Sequence, residues 1–253
     1  MVIRLRPLIL LFGDSLTERA FGDSVTTFGW ASLLSSSYTR RADVLNRGFS
    51  GYNTRHALDL LKKGRIFSAG GTKGDQDILF ATIFLGANDA ALPGEGQHVP
   101  IEEYKENLIQ IIQQMRTHLN DNVPIFLMTP PPLDEVEWTD AKQKSSPDRR
   151  LSVTRTYADE VKVVGKEQGL DVISIFDRLG GMEPKPEYFC DGLHLSDIGN
   201  RLVLEAIMEL LETKYPHLVP HNDDDADNQE PKSKGDSTIV GIPMEEASWR
   251  DLC

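Results

Sequence analysis

The chain has little cysteine, no basic excess and no long apolar run. Its 253 residues include two cysteines, Cys190 and Cys253, which are too few for a disulfide framework and fit a reducing compartment. The formal net charge is −12 and no basic stripe is present, which argues against nucleic acid as a partner. No segment reaches the roughly 20 apolar residues that a membrane span needs. We therefore expect an acidic globular protein without a membrane span, located in the cytoplasm.

The amino terminus resembles a secretory signal only superficially. Arg4 and Arg6 precede an apolar run at 8–12, but five residues fall short of the roughly 7–15 of a signal core. No small-residue cleavage site follows this run. We interpret it as the first strand of a sheet.

Short apolar runs alternate along the chain with segments of helical period. The runs are nearly continuous, which is typical of strands buried on both faces of a parallel sheet. The five predicted strands lie at 8–12, 44–45, 78–85, 125–128 and 172–175. Helices are predicted over 54–63, 101–119 and 151–168, and a last helix begins after Ser196 as its N-cap. The alternation predicts an α/β fold, a three-layer flavodoxin-like domain with a five-stranded parallel sheet in the order 2-1-3-4-5, flanked by helices.

Charge and loop length divide the chain further. Nine acidic and three basic residues fall in 221–253, and 221–238 has almost no apolar residue, so we expect an acidic, disordered tail. Its closing segment could dock back onto the domain through Ile242, Met244 and Trp249. Three loops, at 13–29, 86–100 and 130–150, are longer than packing requires. Long loops in compact domains tend to be functional or mobile.

Polar residues with catalytic potential follow the predicted strands, where sites of parallel sheets lie. Ser15, Gly51 and Asn88 come after the first three strands, and Asp191 and His194 precede the last helix. A serine nucleophile needs an adjacent base that a third group orients, and Ser15, His194 and Asp191 can take these roles. The Ser15 and Gly51 N–H groups and the Asn88 side-chain amide are candidate donors to a developing oxyanion.

Four strings in chain order, FGDSLTE, NRGFSGYNT, LGANDA and DGLHLS, resemble the signature blocks of the SGNH (GDSL) hydrolase family. The resemblance carries the residues that name the family onto Ser15, Gly51, Asn88 and His194, with Asp191 as the third triad member. The longer strings ADVLNRGFSGYNTR and FLGANDAALPGEGQHVP are similar to the isoamyl acetate-hydrolysing esterase branch.

This resemblance implies an SGNH-type hydrolase domain over 1–220. It implies a serine esterase that hydrolyses short-chain, acetate-type carboxylic esters through an acyl-enzyme, with a place in lipid metabolism. The implied partner is a small-molecule ester, and neither a metal nor a cofactor is implied. The oligomeric state stays open.

Other functions remain compatible with the same residues. Lipid, carbohydrate-ester and thioester substrates all occur in the family. A metal-dependent phosphoesterase could use Asp14, Asn88, Asp191 and His194 as ligands, although binuclear metal sites usually contain several histidines and this set has one. A catalytically inactive binding protein would keep the fold, and the acidic tail could serve it as an interaction segment.

Several residues near the blocks have local structural interpretations. A second Gly-Asp-Ser ends at Ser24, but only the first copy follows an apolar run. We expect Asp14 to tighten its turn, Asp89 to hydrogen-bond within its own loop, Trp30 to lie in the core and Cys190 to be a buried, inert thiol. The remaining histidines, to which we assign no catalytic role, are at 56, 98, 118, 217 and 221.

Overall fold

A computed structural model describes residues 6–67 and 77–220. Its strands form one parallel sheet in the order β2-β1-β3-β4-β5. The strands are β1 (Leu8–Gly13), β2 (Asp43–Gly48), β3 (Ile78–Phe84), β4 (Ile125–Met128) and β5 (Val172–Ile173). The α/β prediction and the predicted strand order are confirmed. The tail predicted at 221–253 lies outside the described residues.

Eight α-helices occur in the described part of the chain. They are α1 (Ser15–Glu18), α2 (Trp30–Ser37), α3 (Thr54–Lys62), α4 (Ile101–His118), α5 (Glu135–Ala141), α6 (Leu151–Gln168), α7 (Ile175–Arg178) and α8 (Asp197–Lys214). Three 3₁₀ turns lie at Arg19–Phe21, Pro186–Tyr188 and Pro216–Leu218. The predicted helices correspond to α3, α4, α6 and α8. The Ser196 hydroxyl caps α8 by accepting from the Gly199 N–H at 3.2 Å.

The sequence-based boundaries are wrong at three short helices. Two of them, α1 and α5, lie inside segments predicted as loops, because four to seven residues carry too little periodicity to register. The fifth strand ends at Ile173 and not at Ile175, since the chain turns into α7 there. The Thr129 hydroxyl accepts from the Phe176 N–H at 2.8 Å and stabilises this turn.

The sheet separates two hydrophobic layers. Side chains of β1 alternate between them: Ile9 and Leu11 face the layer that α2 and α8 cover, while Leu10 and Phe12 face the layer of α3, α4 and α6. All four are fully buried, which explains the unbroken apolar run in the sequence. Among residues 6–67 and 77–220, no helix has the length and apolar character needed to cross a membrane.

The sheet register brings three strand ends together. Gly13, the last residue of β1, lies opposite Gly48 of β2 and Phe84 of β3. The loops that follow these strands therefore begin side by side at one edge of the sheet. Those loops carry Ser15, Gly51 and Asn88, as expected for a parallel sheet.

Candidate active site

Ser15 lies at the first position of α1, directly after β1. Asp14 is the N-cap of this helix, and its Oδ1 accepts from the Leu16 N–H at 2.9 Å. A Cβ on Gly13 would lie 2.5 Å from the Phe84 carbonyl oxygen, so only glycine fits where the chain leaves the sheet. Ser15 itself is 6% exposed, and its hydroxyl faces the segment that precedes α8.

His194 and Asp191 complete a hydrogen-bonded chain with Ser15. His194 Nε2 lies 3.0 Å from Ser15 Oγ, and His194 Nδ1 lies 2.7 Å from Asp191 Oδ2. The other carboxylate oxygen, Oδ1, accepts from the Leu193 and His194 N–H groups at 3.2 and 2.8 Å. Gly192 makes this tight turn possible with a φ of +84°. The spacing of Asp191 and His194 in the sequence thus brings their side chains into contact.

The charge on Asp191 determines which nitrogen of His194 carries the proton. Burial alone would raise the pKa of the Asp191 carboxyl, but hydrogen bonds and charge attraction from His194, with the Leu193 N–H, lower it to about 2. Asp191 is therefore ionised at neutral pH and can only accept a hydrogen bond. In the neutral imidazole the proton lies on Nδ1, and Nε2 presents its lone pair to the Ser15 hydroxyl.

Gly51 and Asn88 approach Ser15 from the loops after β2 and β3. Gly51 adopts a φ of +79°, a conformation that favours glycine. The preceding Ser50 N–H donates to Glu18 Oε2 at 2.8 Å, which ties this loop to α1. The Asn88 side chain donates through Nδ2 to the Tyr52 carbonyl at 2.8 Å.

These groups border one cavity of about 300 Å³. Ser15, Gly51, Asn88 and His194 all line it. Its remaining lining residues are Arg19, Ser50, Gln97, Trp138, Lys142, Lys144, Asp148, Arg149 and Leu193. Ser15 and His194 also line a smaller cavity of about 100 Å³. The Ser15 hydroxyl, the His194 imidazole and two candidate oxyanion donors therefore border the same space.

The chain is similar to known proteins over most of its length. Residues 11–202 match the GDSL-like Lipase/Acylhydrolase family. The chain is 39% identical over 223 residues to the mouse (Mus musculus) isoamyl acetate-hydrolyzing esterase 1 homolog, covering 85% of this chain and 86% of that protein. It is 37% identical over 235 residues to a GDSL esterase/lipase of Arabidopsis thaliana, covering 86% and 93%.

The chain belongs to the GDSL-like lipase/acylhydrolase family. Its fold is also that of the lipase/acylhydrolase from Enterococcus faecalis, with a TM-score of 0.63 at 22% identity, covering 85% of this chain and 99% of that one. The predicted family resemblance, including the similarity to isoamyl acetate-hydrolysing esterases, is confirmed. This protein is an esterase/acylhydrolase of the GDSL family.

The residues behind Asn88 in this acylhydrolase were not predicted from the sequence. Arg149, Gln97 and Trp138 all line the cavity, and Arg149 is only 3% exposed. No local pattern distinguishes Arg149 from the adjacent, exposed Arg150. The one signal was indirect, because the loops at 86–100 and 130–150 were longer than packing requires and contain these residues.

Two buried carboxyl groups lie beneath the site. Burial is the main reason that the pKa of Asp14 rises to about 7 and that of Asp89 to about 6. Asp89 accepts from the N–H and hydroxyl of Thr54 at the start of α3, at 2.9 and 2.5 Å. The expected hydrogen bond within its own loop is made by the Asp89 backbone, whose carbonyl accepts from the Val99 N–H at 3.1 Å, while its side chain bonds to α3.

The remaining residues singled out in the sequence have structural surroundings. Trp30 is fully buried, as predicted, and its Nε1 donates to the Leu16 carbonyl at 3.0 Å. Cys190 is half-buried and not buried as predicted, its thiol donates to the Leu195 carbonyl at 3.3 Å, and partial burial raises the pKa of this thiol. Ser24 is exposed. The histidines at 56, 98 and 118 form hydrogen bonds within helix ends or loops, His217 contacts Tyr215, and His221 lies outside the described residues.

In the two described ranges, no three or more His, Cys, Asp and Glu side chains are grouped so that they could hold a metal ion. The Asp14, Asn88, Asp191 and His194 set considered for a phosphoesterase is therefore not assembled as a cluster of that kind.

Proposed function

We propose that this chain is a serine esterase that hydrolyses short-chain carboxylic esters, acetates above all, through an acyl-enzyme. The observation that carries the proposal is the chain from Ser15 Oγ to His194 Nε2 at 3.0 Å and from His194 Nδ1 to Asp191 Oδ2 at 2.7 Å. A nucleophile, a base and an orienting carboxylate in this order are what acyl transfer by serine requires.

In the first half of the reaction, Ser15 Oγ attacks the ester carbonyl carbon while His194 Nε2 accepts the hydroxyl proton. Asp191 stabilises the resulting imidazolium through Nδ1, and its lowered pKa keeps it ionised for this role. The tetrahedral intermediate collapses when the imidazolium returns its proton to the leaving alkoxide. An alcohol departs, and the acyl group stays on Ser15.

In the second half, water attacks the acyl-enzyme with His194 as the base. The carboxylic acid leaves and Ser15 regains its proton. The oxyanion forms twice, and we assign its donors to the Ser15 and Gly51 N–H groups and to Asn88 Nδ2. Among the described residues, neither of these two backbone N–H groups donates to a backbone carbonyl in a turn, loop or helix cap.

Two observations favour small acyl groups. The cavity beside Ser15 holds about 300 Å³, which is at the lower end of the range for small-molecule sites. The mouse relative is named an isoamyl acetate-hydrolyzing esterase homolog. A cytoplasmic location and a place in lipid metabolism stay predictions from the sequence.

A panel of p-nitrophenyl esters from acetyl to palmitoyl, assayed on wild type and Ser15→Ala, tests the substrate class. We expect kcat/KM to be highest for acetyl and to fall as the acyl chain lengthens, with Ser15→Ala inactive throughout. A maximum at palmitoyl would assign the protein to long-chain lipids instead. Activity retained by Ser15→Ala would refute the nucleophile.

A fluorophosphonate probe tests the nucleophile independently of any substrate. The probe should phosphonylate Ser15, and peptide mapping should find no adduct on the exposed Ser24 or on Ser50. Preincubation with a slow acetate ester should protect Ser15 from labelling. An adduct on either of the other serines contradicts the assignment.

A further inference from the structure

The Asn88 side chain is held from behind by two other side chains. Its Oδ1 accepts from Arg149 Nη2 at 3.1 Å and from Gln97 Nε2 at 3.0 Å. Gln97 Oε1 in turn accepts from Arg149 Nη2 at 2.6 Å. The three side chains form a closed ring of hydrogen bonds on the side of Asn88 away from Tyr52.

The chemistry of guanidinium determines how both amides are oriented. Arg149 can only donate, so the atom that each amide presents to it must be oxygen. This places Gln97 Nε2 toward Asn88 Oδ1 and toward the Gly51 carbonyl, to which it donates at 2.8 Å. It also turns Asn88 Nδ2 away from Arg149.

In this orientation, one of the two N–H bonds of Asn88 Nδ2 remains available to donate to the oxyanion. One of its hydrogens goes to the Tyr52 carbonyl at 2.8 Å, while the other has only a 3.5 Å contact with Asp14 Oδ2. A rotation of the amide by 180° would present a carbonyl oxygen to the oxyanion in place of this donor. Such a rotation would also direct NH₂ at Arg149 and Gln97, leaving donors facing donors.

Arg149 is itself immobilised. Nε donates to the Ala87 carbonyl at 3.1 Å, and Nη1 donates to Asp148 Oδ2 at 3.0 Å. The guanidinium carbon lies 4.9 Å from the Trp138 ring centroid. Trp138 Nε1 in turn donates to Asp148 Oδ1 at 2.7 Å. Because every arm of the fork has a partner in a buried site, the position of Nη2 is well determined.

We propose that Arg149, together with Gln97, is a positioning residue that keeps the Asn88 amide in the orientation that donates to the oxyanion. This inference rests on the proposed function of Asn88. The positive charge also polarises the Asn88 amide, so that its N–H becomes a stronger donor. Arg149 does not touch the reacting atoms and acts through Asn88.

A double-mutant cycle on kcat tests this coupling. Arg149→Lys keeps the charge beside Asp148 but loses the fork, since one ammonium cannot reach all the acceptors that the guanidinium holds. We expect it to lower kcat for p-nitrophenyl acetate by about tenfold or more with KM within about twofold. In the Asn88→Ala background, the same substitution should change kcat by less than about twofold, because nothing is left to orient.

Arg178→Lys is the matched control. Arg178 forms ion pairs with two residues of α8, Glu205 at 2.9 Å and Glu209 at 3.3 Å. It lines neither of the two cavities that border Ser15. Its kcat should stay at the wild-type level in both backgrounds. Equal fold losses for Arg149→Lys with and without Asn88 would show that Arg149 supports the fold generally, and unchanged kcat in Arg149→Lys would also overturn the proposal.

If Arg149→Lys does not fold, Gln97→Met replaces it in the double-mutant cycle with Asn88→Ala. It removes the second donor to Asn88 Oδ1 from a half-buried side chain, and its effect should likewise shrink in the Asn88→Ala background. Failure of the proposed function has a different signature. Ser15→Ala and Asn88→Ala would then keep activity, whereas failure of this inference leaves both impaired and only the coupling absent.

Discussion

The chain contains the tripeptide Gly-Asp-Ser twice, at 13–15 and at 22–24. In both copies the aspartate makes the same local contact. Asp14 Oδ1 accepts from the Leu16 N–H at 2.9 Å, and Asp23 Oδ1 accepts from the Val25 N–H at 2.8 Å. This contact therefore does not distinguish the copies, although Asp23 Oδ1 also accepts from the N–H and hydroxyl of Thr26.

Burial separates them. Asp14 is fully buried beneath the sheet edge, and burial raises its pKa to about 7. Asp23 is exposed, and hydrogen bonding from the Thr26 N–H lowers its pKa. Ser15 faces His194 Nε2, whereas Ser24 is exposed on a bend. The same three residues become a candidate catalytic element only where they follow a central strand that ends beside two others.

Removing each serine gives the largest contrast between the copies. Ser15→Ala should lower kcat by about 10⁵- to 10⁶-fold, because no other group can form the acyl-enzyme. Ser24→Ala should stay within about twofold of wild type. Steady-state assays on p-nitrophenyl acetate measure both, with circular dichroism to check that the variants are folded. Comparable losses of kcat in the two variants would show that the two serines do not differ in their catalytic role.

Changing Asp191 tests the hydrogen-bonded chain through His194 that Ser15 has and Ser24 lacks. Asn in this place can still accept from the Leu193 and His194 N–H groups, but its NH₂ would face Nδ1 and favour the wrong tautomer of His194. Asp191→Asn should lower kcat by about 10⁴-fold. Its urea midpoint should remain near that of wild type. A loss below about tenfold would argue that Asp191 only stabilises the turn.

Changing Asn88 tests the oxyanion side of the first copy. Loss of a donor that acts only when the carbonyl oxygen becomes charged should lower kcat by about 10²–10³-fold with KM nearly unchanged. Asn88→Ala measures this loss, and Asn88→Asp should be worse, since it adds negative charge where the oxyanion forms. If Asn88→Ala keeps more than about a third of wild-type kcat, Asn88 is a structural turn residue.

The sequence predicted much of this arrangement because strand order and loop position follow from burial patterns. The continuous apolar runs placed β1, β3 and β4 to within a residue or two, and the ends of these strands predicted where Ser15 and Asn88 would lie. Arg149 could not be predicted in the same way. Its role depends on contacts with Ala87, Asn88 and Gln97, which lie 52 to 62 positions away, and no periodic pattern encodes such a distance.

The last contrast between the copies concerns pH and stability. The pKa of Asp14 is raised in the folded chain, so the stability that this group contributes is fully present below its unfolded pKa of about 4 and is lost as pH rises through about 7. The pKa of Asp23 is lowered, so its contribution is present above about pH 4 and is lost only as pH falls further. Between pH 4.5 and 8 the two aspartates should therefore behave differently.

Urea unfolding of wild type, Asp14→Asn and Asp23→Asn across this range measures the difference. Relative to wild type, the unfolding free energy of Asp14→Asn should rise with pH, by at most about 1.4 kcal/mol for each pKa unit of the Asp14 shift. The offset of Asp23→Asn should stay flat, because Asp23 is already ionised throughout. Asp89 titrates nearby in all three proteins, so comparing each variant with wild type removes most of its contribution. A constant offset for Asp14→Asn would mean that Asp14 is ionised at pH 4.5 in spite of its burial, with its charge balanced by Arg149.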